Sequence, residues 1–213
     1  MTPDTDTVPW FRRMVWTPVG LLVVALALIW SIEIADSVAL DDRFQRNGIR
    51  PRHWDGLDGV LWTPFLHSDF GHVASNSVPF MALGGLVAIR GMRYWARSTA
   101  VIVVVGGGLT WLLAADGNHI GASGVVFGYL GVIVGAAVFE RRPKALAPAL
   151  LAIGFYGGLV AGIVPQESIS WEGHLFGMIA GIMAARWLAE PRRPRTYRSD
   201  DVQPWEIDEP WLD

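Results

Sequence analysis

The chain has 213 residues, 52% of them hydrophobic, with 24 glycines and 11 tryptophans, a mixture that soluble globular chains seldom carry. A net charge of -3, without a basic face interleaved with aromatics away from the apolar runs, gives no support to a nucleic-acid partner. The absence of cysteine excludes disulfides, a thiol nucleophile and a Cys-ligated zinc site, so any nucleophile must be an oxygen or an amine.

Crossing a hydrocarbon layer of ~30 Å takes about 20 apolar residues as helix. Six runs are candidates, several of them short and glycine-rich: roughly 15–35, 73–89, 98–115, 120–139, 146–164 and 174–188. The first follows Arg12 and Arg13 like a signal-peptide core. It is too long for that role and no A-x-A-like site closes it, so it reads as an uncleaved helix. The long segment 36–71 sets Arg43, Arg46, Arg50 and Arg52 against six aspartates. Its Trp54, Leu57, Val60, Leu61, Trp62 and Phe65 place it at the membrane interface.

The short loops alternate in charge. Arg90, Arg93 and Arg97 follow the second run, Arg141, Arg142 and Lys144 the fourth, and Arg186, Arg192, Arg193, Arg195 and Arg198 close or follow the sixth. Asp116, Asn118, His119, Glu167 and Glu172 mark the opposite side, with no Lys or Arg there. The positive-inside rule then puts both termini in the cytoplasm. Residues 1–14 read as a cytoplasmic segment, 15–190 as one membrane domain, and 191–213, where arginines give way to acids and prolines, as a flexible cytoplasmic tail. The expectation is an all-α, polytopic, six-helix bundle. With no large extramembrane domain or organelle-targeting feature, its expected location is a plasma membrane of bacterial type. No repeat points to an inverted-repeat transporter.

Polar groups at membrane depth are costly and mark functional positions. His72 and Asn76 open the second run, Ser123 the fourth and His174 the sixth. In the six-span topology all lie near the outer ends of their helices, at one depth. A serine becomes nucleophilic when a neighbouring base takes its proton, and histidine suits that task near neutral pH. Ser123 sits in Gly121-Ala122-Ser123-Gly124, where small neighbours leave its hydroxyl and N–H open and the helix start adds free donors. His72 and Asn76, four apart, share a face as further donors. Gly124 and Gly128, facing Gly173, Gly177 and Gly181, have the spacing that lets two membrane helices approach. Phe127, one turn from Ser123, is placed to pack on the His174 ring.

These motifs resemble the rhomboid intramembrane serine proteases: Gly121-Ala122-Ser123-Gly124 with Phe127, His72-x-x-x-Asn76, and His174-x-x-Gly177-x-x-x-Gly181, preceded by a stretch from Thr63 to His72 like the end of that family's first loop. The likeness covers roughly residues 15–188. It implies a Ser123–His174 dyad without an acid, and an oxyanion hole from the Ser123 N–H, His72 and Asn76. It also implies, as substrates, other membrane proteins cut in or beside a transmembrane helix, with the fifth helix and residues 165–171 as gate and cap. The chain departs from many members at Asp58 and Gly59, where a Trp-Arg pair is usual. No cofactor is implied.

A client-binding relative without activity is the alternative, and it has no need of the Ser123 and His174 pair. A metalloprotease is set aside because no H-E-x-x-H occurs and the five histidines are scattered. An aspartyl intramembrane protease, which needs two carboxylates inside the membrane, is set aside because the spans are read as holding none. His67 reads as structural, and His53 and His119 as solvated loop residues. Neither the oligomeric state nor the physiological substrate is read from the sequence.

Overall fold

The structure is a computed structural model and describes residues 17–166 and 169–189. The segment expected at 1–14, the tail at 191–213 and their arginines lie outside the described residues, as does Glu167. Among the described residues, six long helices form the bundle. The first, α1 (Pro18–Ala39), starts at Thr17, whose hydroxyl accepts the Gly20 N–H at 3.0 Å, with Pro18 at the first helical position. Next, α2 (Phe70–Ala88) is capped by Asp69, whose carboxylate accepts the His72 N–H at 2.8 Å. Then come α3 (Met92–Leu113), α4 (Ser123–Glu140), α5 (Pro143–Ile163) and α6 (Trp171–Leu188). Among the described residues there is no strand beyond one isolated bridge, Ile49 to His119.

Several ends differ from the sequence reading, each for a local reason. The third helix begins at Met92, six residues before the apolar run, because Arg93 and Arg97 are good helix formers. The fourth begins at Ser123, because Gly121 has φ +116° and breaks the helix just ahead of it. The fifth begins at Pro143, whose fixed φ suits a first turn, and its last stretch, Gly157–Ile163, tightens to a 3₁₀ helix. Midway, α3 loosens into a π-helical stretch at Ile102–Gly106.

Among the described residues, four helices, α1, α3, α4 and α5, are long and apolar enough to cross a membrane. Polar and charged side chains lower the hydropathy of the other two: His72, Ser75, Asn76 and Ser77 on α2, and Glu172, His174 and Arg186 on α6. The central helix is α4, buried along most of its length and wrapped by α2, α3 and α6. Its contact with α6 is backbone on backbone. A Cβ on Gly177 would stand 2.9 Å from the Gly124 carbonyl carbon and closer still to its oxygen, and one on Gly181 would stand 2.8 Å from the Gly128 carbonyl carbon.

One expectation about charge needs correction. Helix α1 carries two buried carboxylates, Glu33 and Asp36, although the spans were read as lacking a carboxylate pair. Their partners are structural: Asp36 accepts the N–H groups of Phe44 and Gln45, and Glu33 accepts the Ser37 hydroxyl at 3.2 Å. At the opposite end of the bundle, Arg90 pairs with the fully buried Glu140 side chain and lies 4.1 Å from the centroid of the Tyr94 ring.

The first loop folds as short helical turns, Phe44–Asn47, Trp54–Gly56, Gly59–Trp62 and Thr63–Phe65. It turns Trp54, Leu57, Leu61 and Trp62 outward, while Val60 and Phe65 are half-buried. Arg52 joins it to the loop after α3 by donating to the Ala114 carbonyl at 2.6 Å and pairing with Asp116.

Candidate active site

Ser123 is the first residue of α4 and His174 lies in the first turn of α6. The glycine contact between these helices brings the Ser123 hydroxyl to 2.8 Å from His174 Nε2. The other ring nitrogen, Nδ1, lies 2.8 Å from the Gly162 carbonyl oxygen in the 3₁₀ stretch of α5. A carbonyl oxygen only accepts, so Nδ1 carries the proton and Nε2 presents its lone pair to the serine. Phe127 stacks on the imidazole, with ring centroids 4.2 Å apart and planes within 6°.

His72 and Asn76 face the same open cavity of about 610 Å³, together with Ser123, Phe127 and His174. The His72 Nδ1 lies 3.2 Å from the Ser68 hydroxyl and 3.5 Å from the Ser68 N–H. Its Nε2 points toward Gly121, where a Cβ would stand 2.8 Å away. Asn76 donates one amide hydrogen back to the His72 carbonyl at 3.0 Å, which leaves the second for the cavity. A smaller cavity of about 40 Å³ lies behind Ser123, edged by Thr63, Thr110 and Ser170. It is roomy enough for water.

His67, read from the sequence as structural, supports the glycine turn. Its Nε2 accepts the Ala122 N–H at 3.2 Å, and its ring meets that of His72 edge-on at 4.9 Å. Burial first, and the nearness of His72 second, push the His67 imidazole from 6.5 down to about 4. It therefore stays neutral and able to accept. Asp69, held by the His72 N–H and the Ser68 hydroxyl, is kept below the usual carboxylate range.

His119 is not the solvated loop residue expected. It is buried, with Nδ1 2.6 Å from the Ser170 hydroxyl and Nε2 3.1 Å from the Ala115 carbonyl. Its loop returns between the first loop and the start of α6, and that burial depends on partners 51 residues away or more. Ser170 passed unremarked for the same reason. Their only local signal is position, each four residues or fewer ahead of a candidate dyad member. His53 is exposed, as read.

The rhomboid domain model matches residues 56–191 of this chain. The chain is a member of the rhomboid family. That family includes both active proteases and inactive relatives. This rhomboid is similar to an uncharacterized protein of Mycobacterium tuberculosis, 35% identical over 202 residues, which cover 90% of this chain and 84% of that one. It is also similar to an uncharacterized protein of Mycobacterium leprae, 33% identical over 202 residues, covering 90% and 78%. Family and helices together make it an all-α, multi-pass membrane protein.

Proposed function

We propose that this rhomboid is an intramembrane serine endopeptidase that cuts other membrane proteins within or beside a transmembrane helix. The observation that carries the proposal is the 2.8 Å approach of the Ser123 hydroxyl to His174 Nε2 at the wall of an open cavity. As Ser123 Oγ attacks the scissile carbonyl carbon, its proton passes to Nε2. The electrons of the carbonyl bond move onto oxygen, and that oxyanion meets the Ser123 N–H, the free amide hydrogen of Asn76, and His72 Nε2–H when Ser68 satisfies Nδ1. The tetrahedral centre collapses with cleavage of the C–N bond, and the imidazolium hands its proton to the departing amine. A water then repeats the sequence on the ester and frees Ser123.

In this reading α2 and α6 also cross the bilayer, making six spans. Both termini lie in the cytoplasm, as the arginine clusters favour, and the cavity opens near the opposite face of a bacterial-type plasma membrane. By the family resemblance, α5 serves as the lateral gate through which a helical substrate enters, with residues 165–171 as its cap. A role limited to binding clients gains nothing from a serine and an imidazole held in hydrogen-bonding register.

Purified protein in liposomes should cleave a model transmembrane substrate and take up a serine-directed fluorophosphonate. Ser123→Ala should abolish both while the fold and client binding persist. Cleavage that survives Ser123→Ala refutes the mechanism, and client binding with neither cleavage nor labelling selects the inactive alternative.

A further inference from the structure

We propose that His119 and Ser170 are positioning residues, a polar latch that holds Ser123 and His174 in register at the mouth of the cavity; this rests on the protease reading above. The helices that carry the dyad meet through glycines, Gly124 with Gly177 and Gly128 with Gly181. Such faces fix the distance between two axes but contain no directional bond. A small slide of α6 along α4 would preserve the packing and still spoil a hydrogen bond that tolerates only a few tenths of an ångström. Something at the outer ends must fix the register.

The bond between His119 and Ser170 stands at that place. His119 is four residues ahead of Ser123, on the loop leading into α4, and Ser170 is four ahead of His174, whose N–H it accepts through its backbone oxygen at 3.2 Å. The imidazole bridges the two segments. Its Nε2 faces the Ala115 carbonyl at 3.1 Å, so Nε2 carries the proton, Nδ1 accepts, and the Ser170 hydroxyl donates across 2.6 Å. A parallel bond runs from the Ala115 N–H to the buried Glu172 carboxylate at 3.3 Å.

The loop side of the latch is itself anchored. His119 exchanges both backbone bonds with Ile49 at 2.9 Å, and its carbonyl accepts the Thr63 hydroxyl at 2.9 Å. Thr63 in turn accepts the Gly121 N–H through its own carbonyl at 3.1 Å. The first loop is thus a frame for the segment behind Ser123, and the His119 to Ser170 bond extends that frame to α6. Neither side chain touches the reacting atoms, so their effect on the reaction is through geometry.

The test uses the full chain in liposomes with His119→Ala, Ser170→Ala, the double variant and the conservative Ser170→Thr. It reads kcat and KM on a model transmembrane substrate, the rate of fluorophosphonate labelling, and thermal unfolding. Each alanine variant should lower kcat and the labelling rate by about 10- to 100-fold, the scale of a misplacement of about 1 Å, with KM little changed. The double variant should be no worse than the worse single one, because both break the same bond. Ser170→Thr, which keeps the hydroxyl, should recover most of kcat. Wild-type rates in Ser170→Ala, multiplicative losses in the double variant, or losses that follow unfolding and are not rescued by Ser170→Thr would each overturn the latch. Wild-type protein that neither cleaves nor labels takes down the protease reading and the latch with it. Normal wild-type labelling that Ser170→Ala leaves unchanged removes the latch alone.

Discussion

Replacing Gly177 by alanine tests the fold and the site in one step. The added Cβ would stand 2.9 Å from the Gly124 carbonyl carbon and nearer still to its oxygen, where non-bonded carbons rest at about 3.5–4.0 Å. The obstacle is helix backbone, which cannot rotate away, so α4 and α6 must part by about 1 Å at this level. Gly124 directly follows Ser123, and Gly177 lies one turn from His174. The 2.8 Å bond between Ser123 and His174 should therefore stretch beyond the roughly 3.2 Å limit of a useful hydrogen bond. Overpacking of this kind costs about 1–3 kcal/mol of stability, and the displaced dyad should lose about 100-fold in kcat. Gly85→Ala is the control, since a Cβ there meets nothing within 4 Å and should stabilise α2 by about 0.5–1 kcal/mol. Cleavage kinetics and fluorophosphonate labelling, with thermal unfolding alongside, read all three quantities. Wild-type kcat in Gly177→Ala would show that the backbone contact does not set the dyad, and the reasoning would fall.

Three further outcomes are expected. The neutral His67 has a folded pKa of about 4 against 6.5 unfolded, so the unfolded chain binds more protons between those values. Stability should hold above about pH 6.5 and fall by roughly 3 kcal/mol toward pH 4; His67→Gln should flatten that fall in unfolding measurements, and a pH dependence equal in both proteins would refute the assignment. Glu140→Gln leaves Arg90 without its buried counter-ion and should cost about 3–5 kcal/mol, whereas the double change Arg90→Met with Glu140→Leu should recover most of it; equal losses in single and double variants would count against the pair. Asn76→Ala should reduce kcat by about 10- to 1,000-fold as the loss of one oxyanion donor, and an unchanged kcat would remove Asn76 from that role.

Helix existence was legible because hydrophobic runs and helix length are set by the same solvent, and the glycine spacing showed which helices meet. Helix ends were less legible. The start of α3 at Met92 and the 3₁₀ close of α5 depend on the helix propensity of arginine and on the pair Gly157 and Gly158, which hydropathy does not register. Ser123, His174, His72 and Asn76 could be singled out because a polar group is conspicuous among apolar neighbours. The same contrast hides His119 and Ser170, which are polar residues in polar loops and acquire meaning only when chain folding brings distant segments together. Glu33 is hidden for the opposite reason: lying near the end of an apolar run, it is absorbed into it, while the helix extends past the run to take in Asp36.

The imidazole of His174 leans on the Gly162 carbonyl, where a Ser-His-Asp triad has a carboxylate. A dipole steadies the ring without a full opposing charge. It also spares the molecule from sinking an anion into oily surroundings, where desolvation would cost several kcal/mol or more. Because that carbonyl belongs to α5, whatever displaces the helix also unseats the ring.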